Sequence, residues 1–422
     1  MPAFDASREG ATARDEADPL AGFADRFHRS DELYLDGNSL GPLSTDAHRT
    51  LERVIDEWRE LGIRGWTDGD PPWFRYGEYL GDRLAPLLGV GESEVVAANA
   101  TTVNIHTLVG TFLDTIDGRP TVLVDELNFP TDGYAVRAQL RQRGFDPDNR
   151  LVVVESDDGR TIDEDDVVTA LETNDVDLLL LPSVLYRSGQ LLDVDRIATA
   201  AADAGTICGF DLAHSIGVVP HDLSNVDFAV WCSYKYLNAG PGAIAGLYVN
   251  ERHFGTQPAL AGWWGHEKET QFAMRSTYTP ANTAGAWQIG TVPMLSAAPL
   301  EGALDIVDEA GIDAIREKSL DLTAYLIELV DEQLDDSFVI GTPRERARRG
   351  GHVAIEHPHA ERLAAALAAR DAVVDFRPPN VVRVCPAPLY TSYVDVWEFV
   401  ATLAEIAESG AYERFDPDGT VT

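Results

Sequence analysis

The sequence predicts an α/β architecture: a large domain on a seven-stranded, mainly parallel sheet, followed by a smaller C-terminal α+β domain. Three observations predict it. Short apolar runs rich in Val, Leu and Ile alternate with amphipathic stretches between residues 95 and 249, the texture of a parallel sheet covered on both faces by helices. After about Leu300 the pattern changes to a long helical stretch, a few short strands and a closing helix. Finally, 422 residues with 45% hydrophobic content suffice to bury a core in more than one domain.

Taken in order, residues 1–30 are polar and acidic with little to bury, and read as a partly disordered segment. Residues 31–300 form the large domain and 301–422 the small one. Strands are expected at Val95 to Ala98, Thr121 to Asp125, Leu151 to Glu155, Asp177 to Pro182, Thr206 to Asp211, Phe228 to Ser233 and Ala245 to Val249. Between them, Val103, Ile105, Leu108, Val109, Phe112, Leu113 and Ile116 recur at helical spacing, as do Val167 to Leu171 and Val194 to Ala204. The small domain is expected to hold a long helix from Ala303 to Leu334, strands near Phe338, Val353 and Val381, and a helix from Val394 to Ile406. With no internal repeat or low-complexity linker, the two domains are expected to share one interface rather than a tether.

Charge narrows the function. Seventy acidic against 33 basic residues give a formal charge of −37, a surface that repels nucleic acid and anionic membranes. It also repels itself unless salt shortens the Debye length to about 3 Å at 1 M, which predicts a salt-adapted setting. No run reaches the roughly 18 apolar residues of a membrane span, and the acidic start is unlike a signal peptide, so the expected location is the cytoplasm. Cys208, Cys232 and Cys385 are far apart in apolar contexts and read as reduced core residues, and no metal-ligand spacing is present.

The chemistry gathers where strands end, the edge at which open α/β sheets bind ligands. In Gly209-Phe-Asp-Leu-Ala-His, Asp211 closes the fifth strand and His214 follows one turn on. Asp211 reads equally as a helix cap. After the sixth strand comes Trp231-Cys-Ser-Tyr-Lys-Tyr-Leu-Asn-Ala-Gly-Pro-Gly. A lysine beside tyrosines is ordinarily a surface residue, yet this chain retains lysine only at 235, 268 and 318. Between Trp231, Tyr234, Tyr236 and a glycine turn, Lys235 is poorly placed to solvate and well placed to be a deprotonated, nucleophilic amine. Lys268 and Lys318 read as ion-pairing residues. An aldehyde cofactor on Lys235 needs donors for a phosphate, which Thr101 and Thr102 offer at a helix start, although threonine there is equally an N-cap. It needs an aromatic neighbour, which Phe129 supplies unless it is core, with Asp132 close by. It also needs a carboxylate for a ring nitrogen, a role that suits Asp211.

These segments, together with Leu35-Asp-Gly-Asn-Ser-Leu-Gly-Pro, Thr102-Val-Asn-Ile-His, Phe129-Pro-Thr-Asp, Gly262-Trp-Trp-Gly-His and Val382-Arg-Val-Cys-Pro-Ala-Pro-Leu-Tyr, resemble the kynureninases, fold-type-I pyridoxal 5'-phosphate enzymes of the aminotransferase class V superfamily. The segments run in family order from about residue 34 to residue 400. The resemblance implies hydrolytic cleavage of L-kynurenine to anthranilate and L-alanine, with 3-hydroxykynurenine a further candidate substrate, by a homodimer whose site lies at the subunit interface. It implies that Lys235 carries the cofactor as a Schiff base, that Asp211 pairs with the pyridine nitrogen and that Phe129 stacks on the ring. Thr101, Thr102, Asp132, His214, Tyr234 and Trp264 are implied to line the cofactor, and Thr291 to reach the partner's phosphate. Arg383 is implied to clamp the substrate's α-carboxylate, and Tyr234 to shuttle a proton. The chain departs from the family where a hydroxyl residue often precedes the Val-x-Tyr of the fourth strand: here stands Pro182, with Ser183 one place later. Aminotransferases and cysteine desulfurase-like lyases on the same fold are the alternative, and the latter require a mobile catalytic cysteine.

Overall fold

The computed structural model describes residues 4–416; the ends of the expected N-terminal segment and small domain, at 1–3 and 417–422, lie outside the described residues. All seven expected strands form, each within about two residues of its expected bounds: Val95–Ala97 (β1), Val122–Asp125 (β2), Leu151–Val154 (β3), Leu178–Pro182 (β4), Ile207–Asp211 (β5), Phe228–Trp231 (β6) and Gly246–Val249 (β7). They make one sheet in the order β1-β7-β6-β5-β4-β2-β3. β3, β2, β4, β5 and β6 run parallel, while β7 is antiparallel to both its neighbours. β3 is an edge strand, which explains why Val153 is exposed while β4 is buried throughout.

Alternate residues feed two cores, as the two-residue period of a strand requires. Leu179, Leu181, Phe210 and Trp231 pack against Tyr76–Leu88 (α1), Glu164–Thr173 (α4) and Val194–Ala204 (α5). Leu178, Leu180, Phe228 and Val230 face Thr101–Leu113 (α2) and Pro130–Gln142 (α3). The chain reaches β3 from β2 in one direction and β4 in the other, so the switch point falls between β2 and β4, above whose carboxyl ends a crevice opens.

The expected long helix is two, Met294–Ala310 (α6) and Ile312–Gln333 (α7), because Gly311 between them sits at φ 77°. A four-stranded antiparallel sheet follows, in the order Asp375–Arg377, Val381–Val384, Val353–Glu356, Val339–Ile340. It is covered by α7, Ala360–Ala368 (α8) and Tyr393–Ser409 (α9). The domains meet directly: Arg160 makes a two-pronged pair with Glu356 at 2.9 and 2.8 Å, and Thr342 donates to Ser188 O.

The N-terminal segment, expected to be partly disordered, holds two short helices, Arg8–Ala17 and Ala21–Arg26. Arg8–Ala17 is a helix capped by Ser7 that packs on α9, where both carboxylate oxygens of Asp15 accept from the Tyr393 and Val394 amides. Asp18 pairs with Lys318 at 2.7 Å, and Leu33–Tyr34 runs parallel to Ala372–Val373. Ala11 is the one buried residue of the first helix, while Leu20 and Phe27 beyond it join the large core. The helix itself is held by long-range caps and ion pairs, which leave no local hydrophobic signature.

Candidate active site

Loops at the carboxyl edge of the sheet and two strands of the small domain enclose a cavity of about 530 Å³. Its lining includes Thr101, Thr102, Phe129, Asp211, His214, Tyr234, Lys235 and Arg383, eight of the eleven site residues expected from sequence.

Lys235 follows β6 in a loop whose turns need positive φ at Asn238 (54°), Gly240 (88°) and Gly242 (70°). A side chain at Gly41 would strike the Lys235 carbonyl and Asn238, and the Gly41 amide donates to Tyr234 O at 2.8 Å. The Leu35 to Pro42 motif, given no role from sequence, thus braces the lysine loop. Lys235 Nζ lies 2.8 Å from His214 Nε2. Burial holds the ammonium below the usual lysine range, and burial beside the Lys235 charge drives His214 well below the usual histidine range. A neutral imidazole beside a readily deprotonated amine is what a nucleophilic lysine requires.

Asp211 closes β5 and accepts from the Ala213 amide at 2.8 Å in a turn, with no helix following for it to cap, and it lines the cavity. Burial raises its carboxyl while Lys235 pulls it back. Ser183 sits behind it, its amide and hydroxyl donating to Asp211 O at 2.8 and 3.2 Å, so the displaced hydroxyl supports the aspartate's backbone. Asp132 is fully buried, with no partner for either carboxyl oxygen, and burial followed by Asp211 and Asp125 raises it well above the carboxylate range. It lies outside the cavity lining, beside Asp211.

Thr101 and Thr102 are the first residues of α2, whose cap position is Ala100 and carries no side-chain cap. The threonines are therefore not the N-cap, and the first amides of the helix are left without a side-chain partner, a ready site for a phosphate. Thr102 shares a hydroxyl contact of 2.9 Å with Thr131. Phe129 is 44% exposed, T-shaped against Tyr186 at 5.4 Å, with Lys235 Nζ 5.9 Å from its ring centre, so it is a wall of the crevice rather than core. Arg383, in the same lining, is 2% exposed; Nη1 donates to Tyr186 O at 2.7 Å, Nη2 to Ser39 Oγ at 2.8 Å, and the guanidinium pairs with Asp375. Asp36, Asn38, Ser39, Asp375 and Arg377 were missed as site residues, since only folding brings residues 36–39 beside residues 375–383.

Trp264 and Thr291 are elsewhere. Trp264 is buried among Trp66, Phe74 and Trp263, with Lys268 Nζ 4.6 Å from its ring. Thr291 is exposed beside a shallow apolar pocket formed by Val54, Trp58, Trp66, Trp73, Met294 and Leu295.

The lining fits pyridoxal phosphate: uncapped amides for a phosphate, an open aromatic face for a ring, a carboxylate for its nitrogen and an amine for its aldehyde. Among the described residues no cluster able to hold a metal ion is found. All three cysteines are buried, and burial pushes the Cys385 thiol up to about 12 and raises Cys208 and Cys232, the opposite of a mobile nucleophile.

Comparison with known proteins agrees with this geometry. The fold is similar to the apo cysteine desulfurase of Thermococcus onnurineus (TM-score 0.77, 20% identity, covering 97% of this chain and all of that one). It is also similar to a C-DES variant with glycine covalently linked to its pyridoxal phosphate (TM-score 0.75, 16% identity, 89% and 97% covered). At these identities the likeness speaks for the fold alone. Residues 315–403 match the kynureninase C-terminal domain. The chain is 47% identical to the kynureninase of Geobacillus thermodenitrificans over 99% of both sequences, and 48% identical to that of Bacillus thuringiensis subsp. konkukian over 98% and 97%. Identity of that extent, over a cavity whose lysine, aspartate and arginine stand in one crevice, places the chain in the kynureninase family.

Proposed function

We propose that the protein hydrolyses L-kynurenine to anthranilate and L-alanine, with pyridoxal 5'-phosphate held on Lys235. The observation that carries this reading is the buried Lys235 amine, 2.8 Å from a neutral His214, in one cavity with Asp211 and Arg383. The bound cofactor supplies an electron sink joined to the substrate's α-carbon. The chain's residues do the rest. Arg383 orients the α-carboxylate, and Asp211 keeps the proton on the ring nitrogen. Lys235 Nζ, displaced by the substrate's amine, takes the α-proton and returns a proton to Cα at the end of the cycle. Water adds its hydroxyl to the γ-carbonyl carbon, the Cβ–Cγ bond breaks, and Cβ gains a proton, which balances kynurenine plus water against anthranilate plus alanine. Tyr234, its phenol raised by burial, keeps its proton at neutral pH and donates it to Cβ. A Tyr234→Phe variant with the wild-type rate removes it from that step.

The working unit is a homodimer. Trp58 is 60% and Leu295 49% exposed beside Thr291, an apolar face out of keeping with a charge of −37 unless a second copy covers it. Such a copy presents Thr291, and the face beneath which Trp264 lies, to the partner's cavity. The same charge supports a salt-adapted, cytoplasmic enzyme; a melting temperature that does not fall as molar salt is withdrawn contradicts it. No helix among the described residues is long and apolar enough to cross a membrane.

The deciding experiment loads the protein with pyridoxal phosphate in concentrated salt, adds L-kynurenine or its 3-hydroxy form, and follows anthranilate or 3-hydroxyanthranilate and alanine, with Lys235→Ala as control. Equimolar products from the wild type alone support the proposal. A yellow protein that releases no anthranilate keeps the lysine and discards the reaction; a colourless one discards both.

A further inference from the structure

Arg383 sits in a dense buried charge network. Asn38, with its amide oxygen turned inward, accepts from Nε at 2.6 Å, and Nη1 and Nη2 are taken by Tyr186 O and Ser39 Oγ. Asp375, fully buried, receives Arg383, Arg377 at 2.6 Å and the Ser39 hydroxyl at 2.9 Å on one oxygen. The guanidinium that is to hold a substrate carboxylate thus already faces one protein carboxylate. A second, Asp36, lines the same cavity at 5% exposure, and its Oδ1 has no hydrogen-bond partner. Asp18 is tied directly to a cation, Lys318; Asp36 makes no such ion pair and turns an unpartnered oxygen within the cavity lining.

We propose that Asp36 governs the affinity of the Arg383 clamp for carboxylates: as a neutral acid it leaves the guanidinium's field to the substrate, and as an anion it opposes the incoming carboxylate. The inference rests on the reading of Arg383 given above. The groups facing Asp36 come from every neighbouring element. Asp375 raises it, while Arg383, Arg377 and the Ser39 hydroxyl lower it. Tyr34 and Cys385, both pushed up to about 12, and Tyr390, raised further, stay neutral around it. Lys235 and His214 line the same cavity. Burial first, then Asp375, pushes Asp36 up to about 7, so both of its states are populated near neutrality.

If Asp36 must be protonated, KM for L-kynurenine rises about tenfold between pH 6 and pH 8, and the inhibition constant of L-alanine, which carries the same carboxylate without the aromatic ring, rises in parallel. Both are measured on the loaded enzyme in molar KCl, with loading checked by visible absorbance. Asp36→Asn flattens the two profiles relative to wild type, and Asp36→Glu restores the slope; a merely structural role raises KM at every pH and leaves the slope. Asp36→Asn with the wild-type slope overturns the inference. Arg383→Gln separates the two levels. A raised KM at every pH keeps the clamp, so that a sloping Asp36→Asn profile then defeats the Asp36 role alone. An unchanged KM in Arg383→Gln defeats the clamp and the inference with it.

Discussion

Two buried lysines in this chain do opposite things. Lys318, in the small domain, meets Asp18 at 2.7 Å with side-chain exposures of 7% and 4%. Lys235, at the edge of the large sheet, has a neutral imidazole as its hydrogen-bond partner, and Asp211 acts on it only through its field. Burial pulls both ammonium groups below the usual lysine range, so burial does not distinguish them. The partner does. A carboxylate in contact fixes the charge and makes a structural tie, whereas an imidazole that cannot hold a proton leaves the amine free to lose its own.

The largest effect that sharpens this contrast is chemical. Lys235→Arg keeps the charge and most of the volume but cannot bond to an aldehyde, so anthranilate release should fall by roughly 10³-fold or more, while Lys318→Arg should stay active. Equal losses at both sites break the distinction. Next comes stability. Lys318→Met strands Asp18 in a dry junction and should cost about 3–5 kcal/mol in urea unfolding at fixed salt, most of it recovered in Lys318→Met with Asp18→Leu. That recovery separates the cost of an orphaned charge from the loss of packing.

Lys235 should show the reverse sign. Its folded pKa lies below its unfolded value, so the cofactor-free fold carries a charge it disfavours at every pH below the folded pKa. That penalty vanishes as pH rises through the folded pKa towards the ordinary lysine value of 10.5. Cofactor-free Lys235→Met should therefore be more stable than wild type by about 1–3 kcal/mol at pH 7, and the gain should be gone by about pH 10.5. A gain that persists at high pH is packing, not charge.

What could be read from the sequence divides along the same line. The seven strands were legible because each is an unbroken apolar run, and Lys235, Asp211 and Thr101 because they stand at strand ends or a helix start. The helix at Arg8–Ala17 was not legible, since it buries one alanine and is held by Asp15 and Asp18 through partners 300 or more residues away. Asp36, Asn38 and Asp375 escaped for the same reason: each is an ordinary polar residue until folding sets it beside Arg383. Asp132 is fully buried within the field of Asp211 and outside the cavity lining, a depth that local sequence cannot encode. Trp264 and Thr291 lie outside the lysine cavity, Trp264 buried and Thr291 beside a separate apolar pocket.

Lys268 tests the contrast most finely because it is intermediate. Its ammonium sits 4.6 Å from the Trp264 ring centre and 5.0 Å from that of Phe74, donates to Trp264 O at 3.1 Å, and lies 3.4 Å from Glu78. Glu78 is still 23% exposed at its side chain and retains the Gln288 amide as a donor at 2.9 Å. Lys268→Met therefore keeps the aliphatic stem against two rings and leaves behind a carboxylate with other partners. Its cost should be about 0.5–2 kcal/mol, the worth of a shielded cation–π contact, and well below that of Lys318→Met. Should the two substitutions cost the same in urea unfolding, the fate of the stranded carboxylate is not what sets the price, and the contrast between Lys318 and Lys235 would have to be rebuilt on packing alone.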